Sequence, residues 1–368
     1  MLKSIQDSPL YLIANPKSIA FFGASNNFAN FGSVILASLR SLGYEGAVYP
    51  VHPKEDQVQG YKAYPSVLDL PEAPDLALII LPKSAVPQVM EECGQRGVKR
   101  AAIVTGGFKE VGGQGVELEK NIQQIAEKYG IRFLGPNCIG VSNPHNKLNP
   151  TPFPYTGPPG FIGLASQSGS FITQTFNYIF RLGLGFSTAF SVGNEANIDI
   201  VDCLEYLGTC PNTKVIALYI EGITRGREFM ETARSIVPRK PIVALYVGGS
   251  EAGKRAGFSH TGAMAGPDSL YEGIFRQSGI IRARFMTELF DFCRVLGSLS
   301  RPKGDRVAVL TDSGGPGASA ADSCGRAGLD VPRFSPETLE KLSHIVPDTG
   351  SVNNPVDLTF TKEMNHYY

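Results

Sequence analysis

The strongest constraint in this chain is a repeated pairing of a short, unbroken apolar run with a segment of helical length. Ser18-Ile-Ala-Phe-Phe-Gly-Ala24 enters the small polar turn Gly23 to Asn27, and a helical pattern from about Gly32 to Leu42 follows, closed by Gly43. Runs at 47–51, 76–82, 100–105 and 131–135 repeat the theme, with helix-length segments at 84–96 and 115–129. Strands that are apolar throughout need cover on both faces, as in a parallel sheet whose crossovers are helices. Residues 1–145 are therefore expected to form a doubly wound, Rossmann-like domain.

Six prolines between Pro144 and Gly160 restrict the backbone to extended forms, so 146–159 is expected to be a linker or a wrapped arm. A second α/β unit is expected over 160–300. It opens with a strand at 160–165, turns at Ser166-Gln167-Ser168-Gly169 and enters a helix over 170–182. Strands follow at 186–190, 215–220 and 241–247, with a last helix near 286–299. A third unit over 305–368 starts with a strand at 306–311, the turn Asp312 to Gly317 and a helix to about Ala327. It is too short for a complete doubly wound domain and is expected to be incomplete.

Thirty-four basic residues balance thirty-four acidic ones, so no overall field gathers nucleic acid or an anionic membrane. Any anionic ligand must be held by local geometry. The six cysteines (93, 138, 203, 210, 293 and 324) have neither CxxC nor metal-ligand spacing, and no signal peptide precedes them. A reducing, cytoplasmic setting is expected, without disulfides or a metal site. The longest apolar runs are of strand length, too short to span a bilayer.

Three times the chain makes a strand, a small polar turn and a helix start, the device that aims backbone N–H groups at an anion. None is a GxGxxG or Walker loop. Ligands of parallel sheets bind beyond the carboxyl ends of the strands. Glu221 follows the strand 215–220 directly. His260, one of five histidines, lies in a loop of small residues after the strand 241–247, between a Gly-rich run and a helical pattern starting near Pro267. A carboxylate beside an imidazole stabilises its charged form, and the helix start at Ser168, Gly169 and Ser170 could hold a phosphoryl group. Together these describe a phosphohistidine site better than a hydrolase, since GxSxG is missing around Ser166 and Ser168. Plainer readings stand beside this one. Glu221 could cap a loop or pair with Arg225 or Arg227, Cys138 could be an inert core thiol, and Lys54 could belong to a solvated turn. His52, His145, His344 and His366 have no partner pattern and are expected to be structural or solvated.

The segments 18–25, Val48 to Lys54, Gly106 to Gly112, Leu134 to Gly140, Ser166 to Gly169, Tyr219 to Gly222, Ser259 to Gly262, Gly314 to Gly317 and Asn354 to Asp357 resemble, in order, the NDP-forming acyl-CoA synthetases, relatives of succinyl-CoA synthetase α subunits. The resemblance implies a CoA-binding domain, then a flavodoxin-like phosphohistidine domain, then the start of a further flavodoxin-like domain. It implies phosphorylation of His260, stabilised by Glu221, with Ser168, Gly169 and Ser170 holding the phosphate. Gly23, Ala24, Ser25 and Lys54 would contact the CoA nucleotide and phosphates, with Asn137 and Cys138 towards the thiol. The implied partners are a small carboxylic acid or acyl-CoA and a nucleotide-grasp domain or β-type subunit carrying Mg-ADP or ATP, often in an oligomer. That domain is not found in the sequence, so the chain is expected to be a fragment or an α-type subunit. In this family a Lys and an Arg commonly stand where Tyr246 and Gly249 stand here. The competing reading is a non-catalytic CoA-binding regulatory module of the kind found in protein acetyltransferases, which generally lack the histidine. An NAD-dependent dehydrogenase is disfavoured because the second strand closes on Val51-His52-Pro53 with no acidic residue.

Overall fold

The alternation of side chains along β1 (Ser18–Phe22) sets the layering of the first sheet. Ile19 and Phe21 enter one apolar cluster, and Ala20 and Phe22 enter another on the opposite face. The computed structural model describes residues 4–250, 253, 266–300 and 302–359. A short helix, α1 (Tyr11–Ala14), precedes β1. There follow α2 (Phe31–Ser41), β2 (Ala47–Val51), the small hairpin β3 (Gln57–Val58) and β4 (Tyr61–Lys62), and β5 (Leu76–Ile79). Then come α3 (Val86–Arg96), β6 (Arg100–Ile103), α4 (Gln114–Tyr129) and β7 (Arg132–Leu134). Gly97 and Gly130 end α3 and α4 in left-handed conformations. The sheet order is β2-β1-β5-β6-β7, all parallel. Strand order reverses between β1 and β5, which opens a crevice at their carboxyl ends.

The second sheet repeats that order. It is built from β8 (Val141–Ser142), β9 (Ile162–Ser166), β10 (Phe186–Ser191), β11 (Val215–Ile220), β12 (Ile242–Tyr246) and β13 (Ile281–Ala283). Helices α5 (Gly169–Arg181), α6 (Ile200–Thr209), α7 (Gly226–Ile236), α8 (Asp268–Ser278) and α9 (Met286–Ser298) cover it. The order is β13-β12-β11-β9-β10-β8, parallel except for β8, which runs antiparallel to β10. β8 lies within the range expected for the first domain, yet it hydrogen-bonds into the second sheet. The second switch point lies between β9 and β11.

One apolar cluster runs through both sheets and includes Ile19, Phe21, Leu78, Tyr206, Leu207, Ile216 and Leu218. The side-chain amide of Asn15, just past α1, donates to the Tyr206 hydroxyl of α6 at 3.0 Å. Beyond β10, Asn194, Ala196 and Ile198 donate backbone N–H groups to the carbonyls of Pro136, Gly135 and Phe133 at 3.0, 3.2 and 3.1 Å. The outer edge of β7 is thereby paired instead of bare. The proline-rich segment forms an arm packed against both sheets. The Asn149 amide, fully buried, donates to the Phe153 carbonyl at 2.9 Å and to Ser38 Oγ of α2 at 3.2 Å. The Tyr155 hydroxyl donates to the Pro158 carbonyl and accepts from Phe186 N–H, each at 3.0 Å.

Residues Ser300–Tyr368 form a separate unit. It holds β14 (Leu310–Thr311), α10 (Gly314–Arg326), α11 (Pro336–Ser343) and β15 (Val356–Asp357), with β14 parallel to β15. The strand expected from Arg306 makes only an isolated parallel bridge there, Arg306 to Asp330 with Val307 N–H on the Asp330 carbonyl at 2.8 Å; Val309 N–H bonds Asn354 Oδ1 at 2.9 Å, and the ladder begins at Leu310. The helix starts at Gly314, inside the expected turn. Among the described residues no helix is long and apolar enough to cross a membrane.

Gly23 ends β1 with φ +96°, and a Cβ there would stand 1.9 Å from the Ile80 carbonyl oxygen. Gly23→Ala is expected to lose more than about 1 kcal/mol of stability, since the left-handed backbone and the fixed carbonyl leave no room to relax. Urea unfolding followed by circular dichroism measures this.

Candidate functional site

The turn after β9 is shaped by Ser166, whose hydroxyl accepts from Ser168 N–H at 3.1 Å and donates to the Ser168 carbonyl at 2.7 Å. Ser168 is therefore extended, with φ −101° and ψ 118°, and α5 starts at Gly169 with no side-chain cap. Its first N–H groups face the carboxyl edge of the sheet, where a helix start favours negative charge. The Ser168 and Ser170 hydroxyls lie 3.3 Å apart.

This helix start meets the loop that follows β7. Asn137, Cys138 and Ile139 from that loop and Gln167, Gly169 and Ser170 from the second line one pocket of about 210 Å³. Asn137 has φ +60°, and its N–H donates to the Thr105 carbonyl at 2.9 Å. Ile139 N–H donates to Ser191 Oγ at 3.2 Å. Cys138 is buried, and its thiol donates to the Ile103 carbonyl at 3.3 Å. Burial pushes that thiol up to about 12, which keeps it protonated where it lines the pocket.

Gly23, Ala24, Ser25 and Lys54 lie at the carboxyl ends of β1 and β2, outside this pocket. Ser25 N–H donates to Ser33 Oγ at 2.9 Å, and Asn27 N–H to Ser25 Oγ at 3.2 Å. The Asn26 amide reaches Glu55 Oε2 at 2.6 Å, which ties this loop to the turn carrying the exposed Lys54. His52 Nδ1 accepts from Lys54 and Glu55 N–H at 3.3 and 2.9 Å, so it shapes that turn. His145 Nε2 contacts the Gly160 carbonyl at 2.9 Å, and His344 is exposed at the end of α11. His260 and His366 lie outside the described residues.

Glu221 follows β11 and is buried, with the Tyr219 hydroxyl beside it. Burial and the neighbouring Glu221 carboxylate push Tyr219 up to about 12. Arg225 pairs with Asp199, at 2.6 Å from Nε to Oδ2, and with Glu228 at 2.8 Å. Tyr246 stacks on Tyr271 with ring centroids 3.6 Å apart, and its hydroxyl donates to the Gly266 carbonyl at 2.7 Å. Tyr271 in turn accepts from Ile223 N–H at 3.2 Å. A Cβ on Gly249 would stand 2.2 Å from Asp268 Oδ1, so a side chain there would displace the Asp268–Arg282 pair.

Asn194 and Glu195, two polar residues central to this region, carry no motif-level signal. Asn194 Nδ2 donates to Glu110 Oε2 at 2.6 Å and to Glu119 Oε2 at 2.9 Å, which joins the two sheets' loops. Burial opposes ionisation of Glu110, but hydrogen bonds from Asn194 and from Gly107 and Phe108 N–H hold it below the usual carboxylate range. Glu195 accepts from Gln167 Nε2 at 2.8 Å and from Ile200 N–H at 2.9 Å. The hint available for this loop was Gly193, whose Cβ would collide with the Pro136 carbonyl oxygen at 2.3 Å.

Burial pushes Glu195 from 4.5 to about 8, with the Gln167 hydrogen bond opposing and Asp199 reinforcing the rise. The folded chain keeps this proton up to about pH 8, whereas the unfolded chain releases it near 4.5. Between those values the folded state binds more protons, so stability falls as pH rises. Relative to Glu195→Gln, the protein is expected to lose up to about 1.4 kcal/mol per pH unit across that window and to level off above it. Denaturant midpoints of both proteins at pH 5, 7 and 9 check the slope.

Residues 17–144 match the CoA binding domain family and residues 159–296 the succinyl-CoA ligase like flavodoxin domain. The chain is 42% identical over 355 residues to the α subunit of acetate–CoA ligase [ADP-forming] II of Pyrococcus furiosus, covering 96% of this chain and 77% of that protein. It is 42% identical over 343 residues to acetate–CoA ligase [ADP-forming] I of Archaeoglobus fulgidus, covering 93% of this chain but 50% of that protein. It thus spans about half the length of that relative. A solved structure of dinucleotide forming acetyl-coenzyme A synthetase 1 from Ca. Korarchaeum cryptofilum, in complex with phosphate and ADP, superposes with a TM-score of 0.89 at 40% identity, covering 95% of this chain and 76% of that one. Two domain matches in the expected order, with relatives that align along nearly the whole chain, place it in the ADP-forming acyl-CoA synthetase family, related to succinyl-CoA ligase.

Proposed function

We propose that this chain is the CoA-binding and phosphohistidine part of an NDP-forming acyl-CoA synthetase. The observation that carries the reading is the single pocket in which Asn137, Cys138 and Ile139 meet the uncapped start of α5 at Gly169 and Ser170. A thiol ester held along the first sheet would present its acyl group where phosphate is held by the second.

Gly23, Ala24, Ser25 and Lys54 hold the nucleotide and phosphates of CoA, and Asn137 and Cys138 face its thiol end. Phosphate held at Ser168, Gly169 and Ser170 attacks the acyl carbon; the thiolate leaves as CoA and an acyl phosphate forms. His260 then takes the phosphoryl group and releases the carboxylic acid, with Glu221 stabilising the charged imidazole. Transfer from His260 to NDP yields NTP on a nucleotide-grasp domain or β-type subunit that carries Mg-ADP. Each step needs only a poised nucleophile and an anion hole. The names of the relatives support a small carboxylic acid such as acetate as substrate. An oligomer with the grasp subunit in the cytoplasm completes the proposal.

The test is incubation with acetyl-CoA and inorganic phosphate, or with ATP and a grasp subunit, read by intact mass. A gain of one acid-labile phosphoryl group that His260→Ala abolishes is the expected result. CoA binding without any phosphoryl gain would sink the catalytic reading and leave a CoA-responsive binding module.

A further inference from the structure

The ladder between β9 and β11 ends with Gln167 N–H donating to the Tyr219 carbonyl at 3.2 Å. Beyond it the two chains part, one into α5 and the other into the Glu221 loop, and the side chain of Gln167 takes over the pairing. Its Oε1 accepts from the N–H groups of Glu221 and of Gly222, the latter at 3.0 Å. Its Nε2 donates to the Gly222 carbonyl at 2.7 Å and to Glu195 Oε2 at 2.8 Å. A primary amide offers two donors and a carbonyl with two lone pairs, and here all four are engaged. Gln167 is 7% exposed, so water does not replace these bonds. The pattern on Gly222 is that of a neighbouring strand, N–H and C=O both satisfied by one flat group.

We propose that Gln167 is a positioning residue for phosphoryl transfer: its amide fixes the backbone of Glu221 and Gly222 relative to the start of α5. The assignment rests on the function proposed above. Glu221 and the α5 start must keep a set separation if one is to stabilise the phosphorylated group and the other to hold the phosphoryl oxygens. They lie on different βα loops, and Gln167 is a member of one loop bonded to the other. On the far side Tyr271 holds Ile223 N–H, so the Glu221 loop is gripped at both ends. Glutamate cannot replace the amide when ionised. Its carboxylate accepts from the two N–H groups but offers no donor to the Gly222 carbonyl, and it faces the carboxyl groups of Glu195 and Glu221. Among the described residues, the nearby cations Lys109 and Arg225 are already paired with Glu119 and Asp199. When protonated, the introduced carboxyl recovers one donor.

The experiment compares wild type, Q167A and Q167E, with the grasp subunit present, for phosphoryl gain from acetyl-CoA and inorganic phosphate between pH 5.5 and 8. CoA affinity is measured in parallel by calorimetry. Both variants are expected to bind CoA within about twofold of wild type and to transfer phosphoryl groups about 100-fold more slowly at pH 8, the scale of a 1 Å misplacement. Q167E is expected to recover as pH falls, with a limb that wild type lacks. Should Q167A fail to fold, that pH limb in Q167E still supports the assignment. Wild-type rates in either variant at pH 8, or a Q167E profile parallel to wild type, overturn it. Absence of phosphoryl gain in wild type itself overturns the proposed function, and this assignment with it.

Discussion

Three backbone hydrogen bonds from Asn194, Ala196 and Ile198 to the residues around Pro136 hold the carboxyl edges of the two sheets together. A five-stranded parallel sheet ends in unpaired N–H and C=O groups on β7, and burying them unpaired is costly. The loop after β10 satisfies them and, in doing so, brings Gly193 against the carbonyl of Pro136. Everything that faces the shared pocket inherits its position from this contact. The Asn194 amide then ties Glu110, in the loop after β6, and Glu119, on α4, to the second sheet. The apolar cluster that continues through both sheets supplies the driving force for the same arrangement, but it is not directional. The hydrogen bonds select the register.

The layers of this fold were legible because each strand is apolar on both sides and each turn is small. Leu76, Leu78, Ala77 and Ile79 alternate between two clusters as a buried strand must, and the turn residues Gly23 and Ser168 fall where backbone geometry needs them. Glu221 stood out because it ends a strand. Asn194 and Glu195 did not, for a physical reason: their side-chain partners Glu110, Glu119 and Gln167 lie 84, 75 and 28 residues away in sequence. Local propensity says nothing about such pairings. The third unit was least legible, since its first apolar run makes one isolated bridge to Asp330 and a side-chain bond to Asn354 before the short ladder at Leu310.

The exchange of charge for packing near β12 has a similar logic. Tyr246 contributes a stacked ring and a hydroxyl bond to Gly266, and Gly249 makes room for Asp268. Both features tie the carboxyl end of β12 to α8 through uncharged contacts or a pre-existing ion pair. An ammonium or guanidinium at either place would need a counter-charge that the neighbouring described residues already direct elsewhere.

Around the second switch point, Lys109, Arg225 and Arg282 are each engaged by Glu119, Asp199 and Asp268. Among the described residues, the start of α5 therefore offers an anion oriented peptide dipoles, while these three cations are already paired. Dipole fields fall off within a turn of helix and add little long-range attraction, so encounter is governed by diffusion and fit more than by steering. A site that held its anion through such dipoles alone would depend only weakly on ionic strength.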